Sequence, residues 1–193
     1  MSVDYGSKFN ISHINKGSQI YGPGLRFVIW FQGCSIQCPG CWNKEMWSHE
    51  PNILIEKEKL LDDIVQSGYD GVTILGGEPL EQFENLSWLL SALRERKIHI
   101  MLYTGFEENE IRSDQRLSNA TDKSDILVIG RYENHLRDTG LQWRGSSNQK
   151  IEDRLFTEEE TNSNEVEIVI DDYGKITIYG YPDKELMEFM RTL

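Results

Sequence analysis

Three cysteines lie close together in the first quarter of the chain, at Cys34, Cys38 and Cys41, in a C-x3-C-x2-C pattern. They are the only cysteines among the 193 residues. A disulfide framework uses an even number of cysteines spread along a chain, so this pattern excludes one. Soft thiolates at such short spacing favour zinc or an iron-sulfur cluster. The sequence therefore predicts a metal centre on the loop that carries them.

The cysteine spacing alone is compatible with two kinds of centre. A structural zinc ion needs four protein ligands, and His49, eight residues after Cys41, is the candidate for the fourth. A cube-shaped iron-sulfur cluster normally takes four cysteines, so three cysteines leave one iron free to bind a substrate or cofactor. A second C-x2-C pair or an H-x3-H pair would favour zinc, but the sequence contains neither. Both interpretations stay open on the residues alone.

A second candidate motif, Gly76-Gly77-Glu78-Pro79, follows a short predicted strand. Glycines let a ligand approach the backbone closely, so their carbonyls could accept hydrogen bonds from an ammonium group. Glu78 would add a negative charge beside that ammonium. A plain strand-ending turn with a solvated glutamate is the alternative interpretation.

The elements that position these motifs are predicted from the apolar patterns. Apolar runs predict strands over Arg26–Phe31, Val72–Leu75, Ile98–Tyr103 and Asp125–Ile129, the first of them covered on both faces. Helical spacing of apolar residues predicts amphipathic helices over 56–67 and 81–96. Strands separated by helices pair in parallel through right-handed crossovers, so the fold class is α/β. The cysteine loop follows the first strand, and loops at the carboxyl ends of parallel strands usually carry the chemistry.

The C-terminal quarter has a different character. Residues 152–164 are charged and poor in apolar groups, which predicts a flexible acidic linker. Beyond them, two alternating runs flank a turn over 171–174 and predict a β-hairpin, followed by a short helix over 184–192. We therefore expect a core domain over 1–151 and an appended segment over 152–193.

Composition limits the partners of the chain. Hydrophobic residues make up 38% of it and glycines number 16, enough for a globular core. The 20 basic and 32 acidic residues give a net charge of −12, which argues against extensive binding to the phosphate backbone of nucleic acid. No apolar run is long enough for a membrane span, and the first residues lack a signal-peptide pattern. A soluble, cytoplasmic protein with neither nucleic acid nor membrane as a partner is expected.

Several motifs, in order along the chain, resemble one known family. They are GPGLRFVIWFQGCSIQCPGCWNKEMW from Gly22 to Trp47, then GGEP, YTGF, ILVIGRY and WRGSSNQ. Together they resemble the radical S-adenosylmethionine activases, and most closely the activating proteins of anaerobic ribonucleotide reductases. The resemblance covers Gly22 to about Ile151, some two thirds of the chain.

The resemblance implies a fold, a set of cofactors and an activity. The fold would be a partial (β/α) barrel of the radical S-adenosylmethionine type, with the C-terminal β-hairpin as an extension. Cys34, Cys38 and Cys41 would be the catalytic cysteines that hold three irons of a 4Fe-4S cluster, and S-adenosylmethionine would chelate the fourth. An electron from a flavodoxin or ferredoxin would cleave the sulfonium. The resulting 5′-deoxyadenosyl radical would take a hydrogen atom from a glycine of a glycyl-radical partner enzyme.

The resemblance, together with position at strand ends, also gives a set of cofactor-binding residues: Gly40, Cys41, Trp42, Gly76, Gly77, Glu78, Thr104 and Arg131. Asn43 and Trp47 are expected to support the cysteine loop. Ile129 departs from the family pattern, because close relatives tend to carry an acidic residue there. The extension after residue 151 leaves a different radical substrate, a peptide or small metabolite, as an alternative. A non-catalytic zinc-binding module is the second alternative.

Overall fold

The computed structural model describes residues 3–153, 165–190 and 192. The predicted acidic linker lies outside the described residues except at its start. Glu152 and Asp153 belong to a strand there, since they pair with Leu127 and Ile126. The predicted linker therefore begins two residues too early.

A seven-stranded mixed sheet forms the centre of the fold. Its strands are β1 (Lys8–Ser18), β2 (Arg26–Phe31), β3 (Ile53–Glu56), β4 (Gly71–Gly76), β5 (His99–Thr104), β6 (Ile126–Ile129) and β7 (Lys150–Asp153). The order across the sheet is β3-β1-β2-β4-β5-β6-β7. The four central strands, β2, β4, β5 and β6, are parallel, and the pairs at both ends are antiparallel. The α/β class is therefore confirmed, whereas curvature into part of a barrel stays a prediction.

Helices cover one face of this sheet. They are α1 (Lys57–Ser67), α2 (Phe83–Glu95), α3 (Glu108–Ser113) and α4 (Gln115–Thr121). Phe27, Ile29 and Phe31 of β2 point into the same core as Leu60 of α1 and Leu90 of α2. This alternation sends every second residue of β2 toward the helices and buries apolar area that stabilises the sheet.

The other face of the sheet has its own, smaller core. Val28 and Trp30 of β2 pack there with Leu75 of β4, and Tyr179 of the C-terminal hairpin lies against them. The hairpin consists of β8 (Val166–Ile170) and β9 (Ile176–Gly180), and α5 (Lys184–Met190) follows it. Because β2 is covered on both sides, all six of its residues are buried. Within the described residues, no helix has both the length and the apolar character that crossing a bilayer requires.

Three strands were not predicted from the sequence. β1 reads KFNISHINKGS, in which polar residues interrupt the apolar ones, and β3 and β7 have only four residues each. All three lie toward the edges of the sheet, where one side of a strand meets fewer neighbours. Their pairing therefore depends on the completed sheet rather than on a local apolar run.

Candidate active site

The three cysteines line a single cleft at the carboxyl edge of the parallel strands. The cleft has a volume of about 830 Å³, including its opening to solvent, and Gly76, Gly77 and Glu78 line it as well. The cysteine loop follows β2 and the glycines end β4, and these two strands are direct neighbours in the sheet. All three cysteines are free thiols and partly buried. The structure thus brings the two motifs of the sequence together.

Backbone hydrogen bonds hold the cysteine loop against the short 3-10 turn Lys44–Met46 and the residue that follows it. The Gly33 amide donates to the Met46 carbonyl at 2.8 Å, and the Cys34 amide donates to the Trp47 carbonyl at 3.1 Å. The Cys41 amide donates to the Cys38 carbonyl at 3.0 Å. These contacts fix the loop without using any of the thiols.

Burial acts on the thiols themselves. It raises the pKa of the Cys34 thiol to about 11, and it also raises the pKa of Cys38. Thiolates, not thiols, bind metals, so loading of this loop is expected to release protons.

Glu81 is a site residue that the sequence did not reveal. Its carboxylate is 4% exposed and accepts from the Ser35 amide with both oxygens, at 3.0 and 3.1 Å. His49 Nε2 lies 2.7 Å from the same carboxylate. His49, the predicted fourth ligand of a zinc ion, therefore has Glu81 as its partner and helps to anchor the cysteine loop. Local sequence gave no signal for this pair, because its members are 32 positions apart.

Gly76, the last residue of β4, and Gly77, the residue after it, allow two backbone segments to approach each other closely. A Cβ atom on Gly76 would lie 2.4 Å from the Phe31 nitrogen, and one on Gly77 would lie 2.2 Å from the Gly33 oxygen. The Gly77 amide donates to the Phe31 carbonyl and the Glu78 amide donates to the Gly33 carbonyl, both at 2.8 Å. Because these residues lack side chains, the end of β4 can form backbone hydrogen bonds with the start of the cysteine loop.

Glu78 lies at the centre of a buried hydrogen-bond network. Only 1% of the residue is exposed, and its carboxylate accepts from the Leu80 amide at 2.9 Å, the Gly105 amide at 2.8 Å and the Thr104 hydroxyl at 3.0 Å. The Thr104 hydroxyl in turn accepts from the Phe106 amide at 3.1 Å. Thr104 is therefore engaged with Glu78 and the backbone. Burial raises the pKa of Glu78 to about 7.

We expect Glu78 to make the stability of the cofactor-free protein depend on pH. Its folded pKa exceeds the ordinary value of 4.5, so its contribution to stability is full below about pH 4.5 and declines as pH rises toward 7. Glu78→Gln cannot titrate, so from pH 5 to 8 the wild type should lose roughly 2 kcal/mol relative to this variant. Urea unfolding at both pH values measures this, with Glu95→Gln at an exposed position as the control. If the free energy of unfolding changed equally with pH in the wild type and in Glu78→Gln, the prediction would be contradicted.

The remaining predicted residues lie around the cleft or beside it. Trp42 lines the cleft and is 44% exposed, with the Arg137 guanidinium 4.7 Å from its ring centre. Gly40 faces Asn134 instead, whose Cβ would be 2.7 Å from an added Cβ. Arg131 is not among the cleft-lining residues of the described chain, since its guanidinium contacts Glu110 and the Gly105 carbonyl.

Several aromatic residues complete the walls. Trp47, Tyr103, Tyr132 and Tyr181 line the cleft, as do Asn43 and Gln149. Within the described residues, the buried Trp47 Nε1 and Tyr103 Oη atoms have no hydrogen-bond partner. Buried polar atoms are normally paired, so these two are available to the polar atoms of a bound group.

The cleft therefore fits a cluster and a nucleoside cofactor. Its lining combines the three cysteines with aromatic rings and a few polar groups, the usual make-up of a small-molecule site. In the described part of the chain, no three His, Cys, Asp or Glu side chains converge on one point that could hold a single metal ion. In a cube-shaped cluster each thiolate binds its own iron, so three thiols spread around one cleft suit it.

Comparison with known proteins gives one family model, several relatives in sequence and one solved structure. Residues 20–152 match the family model of the 4Fe-4S single cluster domain. The anaerobic ribonucleoside-triphosphate reductase-activating protein of Salmonella typhimurium is 31% identical over 144 residues, which cover 68% of this chain and 90% of that protein. The protein of the same name from Enterobacteria phage T4 is 32% identical over 141 residues, covering 68% and 86%. The solved structure of QueE from Escherichia coli has a TM-score of 0.41 at 20% identity, over 51% of this chain and 53% of that one. The resemblance seen in the sequence is thus confirmed, and the chain belongs to the family of 4Fe-4S activating proteins of anaerobic ribonucleoside-triphosphate reductases, radical enzymes whose cofactors are an iron-sulfur cluster and S-adenosylmethionine.

Proposed function

We propose that this chain reductively cleaves S-adenosylmethionine and generates a glycyl radical on a partner enzyme of the anaerobic ribonucleotide reductase type. The observation that carries the proposal is the single cleft in which three cysteines meet the glycine-glycine-glutamate motif. The relatives named for activation of that reductase support the choice of partner. When bound, the cluster and S-adenosylmethionine supply the radical chemistry that removes a hydrogen atom from the partner's glycine.

Cys34, Cys38 and Cys41 would hold three irons of the cluster. The loop that carries them is held by the backbone contacts with Met46 and Trp47 and by the carboxylate of Glu81. The sequence has no further cysteine for a fourth iron, so that iron would be left for the amino and carboxylate groups of S-adenosylmethionine. For the electron that reduces the cluster, we propose a flavodoxin or ferredoxin as the donor.

The residues at the ends of β4 and β5 would receive the amino-acid end of S-adenosylmethionine. Glu78 lines the cleft and carries a negative charge when deprotonated, which favours a nearby ammonium group. Thr104 orients Glu78 by donating to its carboxylate. Arg131 donates to the Gly105 carbonyl at 3.2 Å, and the amide of the same glycine donates to Glu78. We therefore propose Thr104 and Arg131 as positioning residues.

The aromatic residues would enclose the nucleoside. Trp42 offers an exposed ring next to Cys41, suited to stacking on adenine. Trp47 and Tyr103 offer a ring together with a buried polar atom that has no hydrogen-bond partner among the residues described. A wall of this kind excludes water from a radical site and limits side reactions.

Electron spin resonance tests the proposed function directly. The reconstituted protein is reduced without oxygen and mixed with S-adenosylmethionine and an anaerobic ribonucleotide reductase from the same source. We expect the doublet signal of a glycyl radical on the reductase, because the α-hydrogen of that residue splits the signal of the unpaired electron.

The control is a reductase in which the radical-bearing glycine is replaced by alanine, which should give no doublet. Cleavage of S-adenosylmethionine without a doublet on the wild-type reductase would contradict the proposed partner. That outcome would favour a peptide or small metabolite as the substrate.

A further inference from the structure

The C-terminal hairpin packs on the face of the sheet that carries Val28 and Trp30, and Tyr181, the residue after it, reaches the cleft. The family model ends at residue 152, so this segment lies beyond it. The Gly180 amide donates to the Tyr21 hydroxyl at 2.7 Å, and Arg137 donates to the Pro182 carbonyl at 2.7 Å. These two contacts flank Tyr181 on both sides and fix its backbone.

Tyr181 itself is part of the cleft that contains the three cysteines. Its ring packs against Gly145, where an added Cβ would lie 3.2 Å from Cε1 of the tyrosine. Burial raises the pKa of Tyr181 to about 12, and the nearby Cys41 thiol adds to the shift. The ring thus forms part of the aromatic wall of the cleft that Cys41 also lines.

We infer that Tyr181 is a cofactor-contacting residue, whose ring forms the wall of the cleft against bound S-adenosylmethionine. The inference rests on the proposed function of this cleft. An aromatic ring suits the position for two reasons: it buries a large apolar area against the adenosyl group, and its face attracts the sulfonium cation. The appended segment is thus part of the cofactor site rather than a separate module.

Binding of S-adenosylmethionine to the reconstituted protein tests the inference without relying on activity. Equilibrium dialysis under anoxic conditions measures the Kd of wild type and variants. Tyr181→Ala should weaken binding about three- to tenfold, because an aromatic contact is lost. Tyr181→Phe keeps the ring and should stay within about twofold of wild type. The matched control is Tyr173→Ala, at the tip of the same hairpin, where the tyrosine is 96% exposed.

The outcomes separate this inference from the proposed function. Wild-type affinity in Tyr181→Ala would overturn the inference while leaving the proposed function intact. A wild-type protein that holds its cluster but does not bind S-adenosylmethionine would overturn both. Thermal unfolding checks the fold of each variant. Should Tyr181→Ala lose the packed hairpin, Tyr181→Leu keeps an apolar side chain there and carries the same expectation of weaker binding.

Discussion

Replacing Cys38 with alanine is expected to abolish cleavage of S-adenosylmethionine. Cys38 lines the cleft together with Cys34 and Cys41, and no other cysteine in the chain could take its place. One iron would lose its thiolate, so the cluster would be incomplete or absent. Iron and sulfide content measures the first effect, and the amount of methionine released after reduction measures the second. We expect methionine release to fall at least about a hundredfold, as for other losses of a group essential to catalysis.

Ser35→Ala is the matched control for this prediction. Ser35 lies in the same loop, its side chain is exposed, and its contact with Glu81 uses the backbone amide. Cluster content and turnover should therefore stay close to wild type. Full turnover by Cys38→Ala with an intact cluster would contradict the ligand assignment. One zinc ion per chain and no iron in the anoxically prepared wild type would contradict the radical interpretation as a whole.

The parts of the fold that could be predicted are those specified by local patterns. β2 is a run of six residues that are all buried, and α2 repeats its apolar residues at helical spacing. These signals do not depend on distant parts of the chain. The strand β1 gave no such signal, since its polar residues are accommodated by pairing with β2 and β3. Register and edge pairing arise from tertiary structure and are weakly encoded in a single segment.

The candidate site shows the same division. The three cysteines were recognised because their chemistry and spacing are visible within eight residues. Glu81 and Tyr181 were missed because they reach the cysteine loop and its cleft only after the chain has folded. The role of the glycines was seen in part. Their closeness to another group was predicted, but the structure shows that the group nearest to them is the protein's own backbone.

Gly77→Ala distinguishes these two roles of glycine, and we expect it to destabilise the protein even without cofactors. The added Cβ would lie 2.2 Å from the Gly33 oxygen, 2.9 Å from the Gly33 carbonyl carbon and 3.1 Å from the Met46 oxygen. All three are backbone atoms, so a simple rotation of a side chain cannot relieve the overlap. We expect a loss of about 2–3 kcal/mol in the free energy of unfolding, the usual cost of overpacking a close contact.

Urea unfolding of the cofactor-free protein measures this loss, and iron content after reconstitution shows whether the cysteine loop has moved. Gly140→Ala is the control, because its nearest neighbour is a side-chain oxygen of Asp138 at 3.3 Å. That variant should change stability by less than about 0.5 kcal/mol. If Gly77 instead serves only to admit the ligand, Gly77→Ala would unfold like the wild type and only its affinity for S-adenosylmethionine would fall. We expect the opposite result. The backbone contacts between the end of β4 and the cysteine loop weaken, which lowers the free energy of unfolding, and weaker cofactor binding is a consequence of that change.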